Sequence, residues 1–189
     1  MRKSRQETAE TRQRIVEAAS SRFRETGIDG TALADLMADA GLTHGGFYKH
    51  FGSKEQVVLE SLQLAADSLR ESMASTLSRS SGSRGLNAAI ASYLSPEHRD
   101  DPGGGCPFVA LASELARGSD EVRDATTTGL VGLVDLIAGH FDELPPAAAR
   151  KKALVVLSTM IGALTMARMV NDEQLSATIL REARKALQQ

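Results

Sequence analysis

The sequence predicts an all-α protein, and three observations lead to that fold class. Hydrophobic residues make up 42% of the 189 residues and charged residues 24%, which is ordinary for a globular chain. Aromatic residues reach only 4%, Pro numbers five, and extended runs rich in Val, Ile, Thr and Tyr are missing, which disfavours strands. Apolar residues recur instead at helical spacing. The length allows one domain, or a small module joined to a larger one.

Three helices are predicted at the N-terminal end. Apolar residues recur every four positions through residues 8–26, and this amphipathic helix ends at Gly27, which can adopt the left-handed conformation. Thr31 is the predicted N-cap of a second short helix, which Gly41 breaks. The third helix covers residues 43–51 and begins at a capping threonine.

A long fourth helix follows. Ser53 precedes Gln56 by three residues, which is the capping-box spacing that satisfies two backbone donors at a helix start. Apolar residues then hold helical spacing through residues 58–77. A Ser- and Gly-rich break at residues 80–85 separates this helix from a shorter one at residues 86–94.

The C-terminal half contains a second break and three or more helices. Residues 95–105 hold two Pro, three acids and three consecutive Gly, which predicts an exposed loop with a flexible tip. Helices are predicted at residues 108–118 and 119–141, followed by two prolines. Residues 153–170 are apolar nearly all round, which indicates burial on more than one side. A polar terminal helix begins near residue 171.

Charge and cysteine content narrow the function classes. Residues 1–54 hold nine Lys and Arg against seven Asp and Glu, a net of +2, whereas the remainder holds thirteen against seventeen, a net of −4. The single Cys106 excludes an intrachain disulfide, and no Cys or His cluster has zinc-site spacing. No signal region or run of about 18 apolar residues occurs. We therefore expect a cytoplasmic protein with no metal, no cofactor and no membrane partner.

The second and third helices have the order of a helix-turn-helix, whose second helix lies in the DNA major groove. The segment after Gly41 contains no acid, and Phe47 and Phe51 are left to anchor it from beneath. Its potential donors are His44, Tyr48, Lys49 and His50. Gly45 and Gly46 destabilise the first turn by about 0.5 to 1 kcal/mol each relative to Ala. Close approach to DNA is one reason for them, and a tight helix crossing is the other.

These residues resemble the DNA-binding domain of the TetR (tetracycline-repressor) family of transcriptional regulators over roughly residues 8–60. The segments that carry the resemblance are Gly27-Ile28-Asp29-Gly30-Thr31, Ala40-Gly41-Leu42-Thr43 and Gly46-Phe47-Tyr48-Lys49-His50-Phe51-Gly52-Ser53-Lys54-Glu55. The resemblance implies a helix-turn-helix DNA-binding domain at residues 1–53 and a helical effector-binding and dimerisation domain at residues 54–189. It also implies a ligand-responsive repressor that binds a palindromic double-stranded operator as a homodimer.

Nine DNA-contacting residues are predicted, five of which (Thr31, Thr43, Tyr48, His50 and Lys54) the resemblance implies by position. They are Thr31, Thr43, His44, Gly45, Gly46, Tyr48, Lys49, His50 and Lys54. The two threonines are expected to cap helices and touch phosphates, and Lys54 to clamp a phosphate at the start of the fourth helix. The tyrosine and the second histidine would reach the DNA backbone or base edges. His44, Gly45 and Lys49 are candidates for base-edge contact. Arg2, Lys3 and Arg5 form either an arm toward DNA or a solvated terminus.

The second half supplies candidate effector and dimer surfaces. The expected pocket lining is Leu62, Ala66, Leu69, Met73, Tyr93, Cys106, Phe108, Leu111, Met160 and Met166, with plain core as the alternative. Because no buried acid or base stands out, the effector is expected to be small and apolar or weakly polar. Residues 122–141 and 152–170 are the dimer candidates, with intrachain core as the alternative. The small residues expected to allow close packing there are Gly129, Gly132, Gly162 and Ala163.

Cys106 follows three glycines and precedes Pro107, so its thiol is expected at a helix N-terminus, where the helix dipole favours a thiolate. This segment resembles family members that sense electrophiles or oxidants, so a thiol-based sensor module is an alternative function. An inert buried cysteine is the other interpretation. An enzyme has little support, because no Walker motif, His-Glu-x-x-His or nucleophile elbow occurs. A helical adaptor without DNA binding is a third class, which a salt titration distinguishes.

Overall fold

The structure is a computed structural model that describes residues 5–80 and 83–188. Within those ranges every regular element is helical, which confirms the predicted fold class. In chain order the elements are α1 (Arg5–Thr26), α2 (Leu33–Asp39), a 3-10 helix (His44–Lys49), α3 (Lys54–Ser78), α4 (Ser83–Tyr93), α5 (Pro96–Asp100), α6 (Pro107–Ala110), α7 (Ala112–Ala116), α8 (Asp120–Ala138), α9 (Pro146–Met169) and α10 (Glu173–Leu187). Arg2 and Lys3, the candidates for a basic arm, lie outside the described residues.

The first helix ends as predicted, but the start of the second differs from the prediction. Gly27 ends α1 with a φ of +82°, and its N–H donates to the Phe23 carbonyl at 2.8 Å. The N-cap of α2 is Ala32, so the predicted capping role of Thr31 is wrong. The Thr31 side chain is buried, and its hydroxyl donates to the Gly27 carbonyl at 2.6 Å. Thr31 therefore closes the turn between the two helices.

The predicted third helix forms as a 3-10 helix of six residues. It begins after Thr43, which occupies the N-cap position without a side-chain capping bond. The Phe47 ring is buried beneath it and stacks with the Phe51 ring at a centroid distance of 5.7 Å. Two glycines in the first turn make a longer α-helix costly, so the short helix depends on this aromatic anchor.

Helix α3 begins at the predicted cap. Ser53 Oγ accepts from the Gln56 N–H at 3.1 Å, while Gln56 Oε1 accepts from the Gly52 N–H at 3.0 Å. The reciprocal bond of the predicted capping box is therefore shifted by one residue. Helix α3 packs against α1 near its start and against α8 and α4 farther along, so it is shared by both halves of the chain.

The segment from residue 95 to residue 118 corrects two predictions. The expected exposed loop contains α5, and its glycine run is packed: a Cβ on Gly103 would lie 2.4 Å from Glu25 Oε1, and one on Gly105 would lie 2.7 Å from the Asp101 carbonyl. These glycines thus permit close packing and do not form a flexible tip. The single helix expected at residues 108–118 is divided at Leu111 into α6 and α7.

Helices α8, α9 and α10 complete the core. Ser119 caps α8 as predicted, with its Oγ accepting from the Val122 N–H at 3.3 Å. One face of α9 is buried, whereas the opposite face exposes large apolar side chains. Helix α9 is the one helix of the described residues whose length of 24 residues and mean hydropathy of 1.4 would allow a membrane crossing. Of its most apolar stretch of 18 residues, 39% is buried inside the fold, so α9 is a core helix with one exposed face.

Candidate nucleic-acid interface and ligand cavity

Five predicted DNA-contacting residues lie together on the outer side of the 3-10 helix and its cap. We define this surface, called the exposed helix surface below, as Thr43, His44, Gly45, Tyr48 and Lys49. Tyr48 is 69% exposed although its neighbour in sequence, Phe47, is fully buried. Gly46 and His50 are half-buried at the edge of this surface. The surface carries a positive side chain and no acid, which suits contact with phosphates and base edges.

The two glycines of the 3-10 helix are not required by packing within the chain. A Cβ on Gly45 would meet no atom within 4 Å, and a Cβ on Gly46 would only touch Met37 Cε at 3.5 Å, an ordinary contact. The alternative of a tight helix crossing therefore has no support in this geometry. What remains is the space outside Gly45, which a partner could approach closely.

Arg12 on α1 holds the end of the 3-10 helix in place. Its Nη1 donates to the His50 carbonyl, and its Nη2 pairs with Glu60 Oε1 on α3. The guanidinium also lies 4.1 Å from the centroid of the Phe51 ring, as a cation over an aromatic face. Sequence reasoning missed Arg12, because its partners lie 38 and 48 residues away and no local pattern indicates them.

Lys54 and Thr31 lie away from the exposed helix surface. The Lys54 ammonium donates to the Ile28 carbonyl and, at 2.7 Å, to the Thr31 carbonyl. It is half-buried, and its donors are directed at the turn between α1 and α2. Lys54 thus uses two of its three donors within the chain, and the buried Thr31 hydroxyl likewise serves the turn. The phosphate contact expected of Lys54 stays a prediction.

A cavity of about 330 Å³ opens beside α3, α4 and the segment that follows α4. Three predicted lining residues, Leu69, Met73 and Tyr93, meet there. The other side chains that line it are mostly polar: Ser68, Ser72, Thr76, Ser92, Ser95, Glu97, His98 and Asp101. A hydrogen bond with the backbone N–H of Glu97 itself, and then a weaker effect of Ser95, lowers the pKa of the Glu97 carboxyl. The acids of this cavity, Glu97 and Asp101, are exposed, so the lining is more polar than the predicted apolar set.

The remaining predicted lining residues lie elsewhere. Five are buried in the core and do not line this cavity, namely Leu62, Ala66, Cys106, Leu111 and Met160. Phe108 lines a separate space of about 250 Å³ beside α7 and α8. Met166 is 56% exposed on the outer face of α9. Helical spacing in the sequence identified these residues as apolar, but it did not distinguish residues that pack in the core from residues that line the cavity.

His98 links the cavity wall to Cys106. Its Nδ1 lies 2.7 Å from the Tyr93 carbonyl, which can only accept, while its Nε2 accepts from the Cys106 N–H at 3.1 Å. His98 is therefore the neutral Nδ1–H tautomer in this geometry. Burial lowers the pKa of His98, in agreement with a ring nitrogen that must stay unprotonated.

Cys106 lies at the predicted helix N-terminus, as the N-cap of α6, but it is fully buried. Burial raises the pKa of the Cys106 thiol, and the neighbouring Tyr93 hydroxyl only partly opposes that shift. Helix α6 has only four residues, so its dipole is small. The predicted thiolate is therefore disfavoured in this structure.

An exposed apolar face runs along the outer side of α9 and onto α10. Its members are Leu154, Val155, Met166, Met169 and Leu175. Gly162 lies on the same helix, and a Cβ on it would meet no atom within 4 Å, so a second surface could approach it. Gly129 on α8, by contrast, faces inward, because a Cβ there would lie 2.8 Å from Phe108 Cζ. Gly129 thus allows close packing within the core of the chain.

Comparison with known proteins places these features in a family. Residues 15–61 match the family model described as bacterial regulatory proteins of the tetR family, and residues 84–184 match the C-terminal domain of LmrA/YxaF-like transcriptional regulators.

Among the described residues, no group of three or more His, Cys, Asp or Glu side chains is placed to hold a metal ion.

Relatives and solved structures agree with these matches. An uncharacterized HTH-type transcriptional regulator of Mycobacterium tuberculosis is 30% identical over 170 residues, which covers 85% of this chain and 86% of that protein. The HTH-type transcriptional repressor DhaR of Mycobacterium sp. strain GP1 is 36% identical over 114 residues, covering 59% of this chain and 56% of that one. The crystal structure of a TetR transcriptional regulator from Chloroflexus aurantiacus superposes with a TM-score of 0.81 at 30% identity, covering 96% of this chain and 94% of that one.

Proposed function

Because this chain belongs to the TetR family of transcriptional regulators, which are not enzymes, we propose that it is a cytoplasmic repressor whose homodimer binds a palindromic operator and is released by a small-molecule effector. The observation that carries the proposal is the exposed helix surface, where Tyr48 and Lys49 project from a helix anchored by the buried Phe47. The surrounding N-terminal part of the chain has a net charge of +2, opposite to that of the remainder.

The DNA-binding unit is residues 1–53 in this proposal. His44, Gly45 and Lys49 read base edges, and the absence of a side chain at Gly45 lets the helix backbone approach the major groove. Thr43 and Tyr48 contact phosphates and fix the register. Gly46, which likewise has no side chain, and His50 lie at the edge of the same surface, and His50 reaches the DNA backbone or base edges.

Residues 54–189 bind the effector and form the dimer. The 330 Å³ cavity has an apolar floor of Leu69 and Met73 and a wall of hydroxyl groups, so an effector with an apolar body and several hydrogen-bonding groups fits its chemistry. Helix α3 contributes both floor residues and also begins beside the DNA-binding unit. Occupation of the cavity would shift α3 and lower operator affinity, by about 5- to 150-fold for a typical allosteric coupling.

The homodimer forms through the outer face of α9, where Leu154, Val155 and Met169 leave apolar surface without an intrachain partner. A two-fold axis through such a face would relate two copies of the exposed helix surface, which matches the symmetry of a palindromic operator. Half-sites are then expected about one helical turn, or a multiple of it, apart.

A selection from random duplexes tests the proposed function. The purified protein should enrich a palindromic sequence, and its affinity for that duplex should fall steeply with salt, because bound phosphates release counterions. Sedimentation of the same sample should give a dimer. If no sequence is enriched and no salt-dependent binding occurs, the protein is better described as a helical adaptor, and the repressor proposal fails.

A further inference from the structure

Glu114 on α7 makes an unusual contact with the turn that follows α1. Its Oε1 accepts from two consecutive backbone N–H groups, Ile28 at 2.7 Å and Asp29 at 3.0 Å. The two residues lie 86 and 85 positions earlier in the chain. A carboxylate that accepts two backbone donors makes stronger bonds than a neutral acceptor would. It therefore fixes the orientation of that turn.

The turn is shaped to receive this carboxylate. Gly27 has a φ of +82°, and a Cβ on it would lie 3.2 Å from Glu114 Oε1, which is tighter than ordinary contact. On the opposite side, Lys54 donates to the carbonyls of Ile28 and Thr31. The N–H groups of the turn thus face α7 and its carbonyl groups face α3, so both parts of the fold hold the same few residues.

A second contact joins the same two regions. Arg24 Nη1, in the last turn of α1, donates to the Gly105 carbonyl at 2.7 Å. Gly105 directly follows Gly104, which lines the 330 Å³ cavity together with Asp101. The Gly104 N–H donates to Asp101 Oδ1 at 2.8 Å, so the cavity wall and the carbonyl bound by Arg24 belong to one closed turn.

We infer that Glu114 is a positioning residue that, with Arg24, connects the cavity wall to the DNA-binding unit through residues 101–114, called the coupling segment below. This inference rests on the proposed function and adds a route that does not pass along α3. The coupling segment begins at the cavity and ends at Glu114, and these contacts reach the last turn of α1 and the turn that follows it. A change in the cavity wall would therefore move α1, which packs against the first helix of the helix-turn-helix.

Amide hydrogen exchange without DNA tests the first half of the inference. In Glu114→Ala, the amides of Ile28 and Asp29 should exchange about 10- to 100-fold faster than in the wild type, since a hydrogen bond to a charged group is lost. Glu114→Gln, which retains an oxygen acceptor, should recover part of the protection. Glu143→Ala, at an exposed glutamate in the turn before α9, is the matched control and should leave these amides unchanged.

Exchange with the selected operator duplex tests the coupling itself. Binding of the duplex should change the exchange of residues 101–105 in the wild type and in Glu143→Ala, but not in Glu114→Ala or Arg24→Met. The arginine variant provides the same readout if the glutamate variant does not fold. The inference is overturned if the operator-induced change persists in both variants, or if it is missing in a wild type that binds the operator. A wild type that binds no duplex would defeat the proposed function and the coupling role, while the DNA-free exchange still decides whether Glu114 holds the turn.

Discussion

The guanidinium of Arg12 lies 4.1 Å from the centre of the Phe51 ring, where α1 meets the end of the 3-10 helix. The same group donates to the His50 carbonyl and pairs with Glu60, so it joins α1, the 3-10 helix and α3. Phe51 in turn stacks on Phe47, the buried anchor of the exposed helix surface. The position of that surface thus depends on one cation that does not contribute to it.

Arg12→Ala should weaken operator binding while the protein remains helical. The substitution removes charge-assisted hydrogen bonds, each worth about 1.5 to 3 kcal/mol, and frees the end of the 3-10 helix. Fluorescence anisotropy with the selected operator measures the affinity, and circular dichroism measures the helix content. Arg14→Ala, which removes the same charge from an exposed position on α1, should have a smaller effect. Equal losses in the two variants would show that charge alone matters.

Substitutions on the exposed helix surface should separate affinity from sequence preference. Tyr48→Ala should weaken binding to all duplexes, because a phosphate contact carries no sequence information. Lys49→Ala should change the preferred sequence, with each lost base contact costing about 1 to 3 kcal/mol. Repeating the duplex selection with each variant measures both effects. Lys151→Ala, an exposed lysine on α9, should select the wild-type sequence. An unchanged preference for Lys49→Ala would remove that residue from base readout.

Val155→Glu should convert the dimer to monomer at micromolar concentration. Val155 is 64% exposed in the single chain, and its burial in an interface contributes about 1.5 to 3 kcal/mol, which a two-fold axis doubles. Analytical ultracentrifugation measures the assembly state, and operator affinity should fall with it. Ala88→Glu introduces the same charge at an exposed position on α4 and should remain dimeric. A dimeric Val155→Glu would move the interface away from this face of α9.

Native Cys106 should react slowly with a thiol reagent at neutral pH. The thiolate is the reacting species, and burial raises the pKa of the Cys106 thiol, so little thiolate is present or accessible. The alkylation rate should increase with pH and should approach that of free cysteine once the protein is unfolded in denaturant. Cys106→Ser should keep wild-type operator affinity. Rapid alkylation of the folded protein with release of operator would instead support the thiol-sensor alternative.

The stability of the fold should decrease as the pH falls below about 6.5, partly because of His98. Burial lowers the pKa of folded His98 below its unfolded value, so in that window the unfolded state binds more protons. The contribution of His98 to the free energy of unfolding is therefore complete above the unfolded-state pKa, and it is lost as the pH falls toward the folded-state pKa. Chemical unfolding of wild type and His98→Gln at about pH 7.5 and pH 5.5 isolates it, because other titrating groups are common to both. The variant should lose less stability on acidification; equal losses would contradict this role.

Local signals in the sequence were sufficient for most helices and for the exposed helix surface. Gly27 ends α1, Ser53 caps α3 and Ser119 caps α8 because a helix terminus is satisfied by residues within a few positions. Phe47 and Tyr48 take opposite sides for an equally local reason, since neighbouring residues on a short helix project in different directions.

Contacts between distant parts of the chain were decided only by the tertiary structure. Lys54 binds two carbonyl groups of the turn instead of facing outward, and Gly103 is packed against α1 instead of forming a flexible tip. Glu114 and Arg12 find partners 38 to 86 residues away. One sequence encodes the donors and acceptors of such pairs but not their proximity, because a long-range hydrogen bond forms only after the hydrophobic core has brought its helices together.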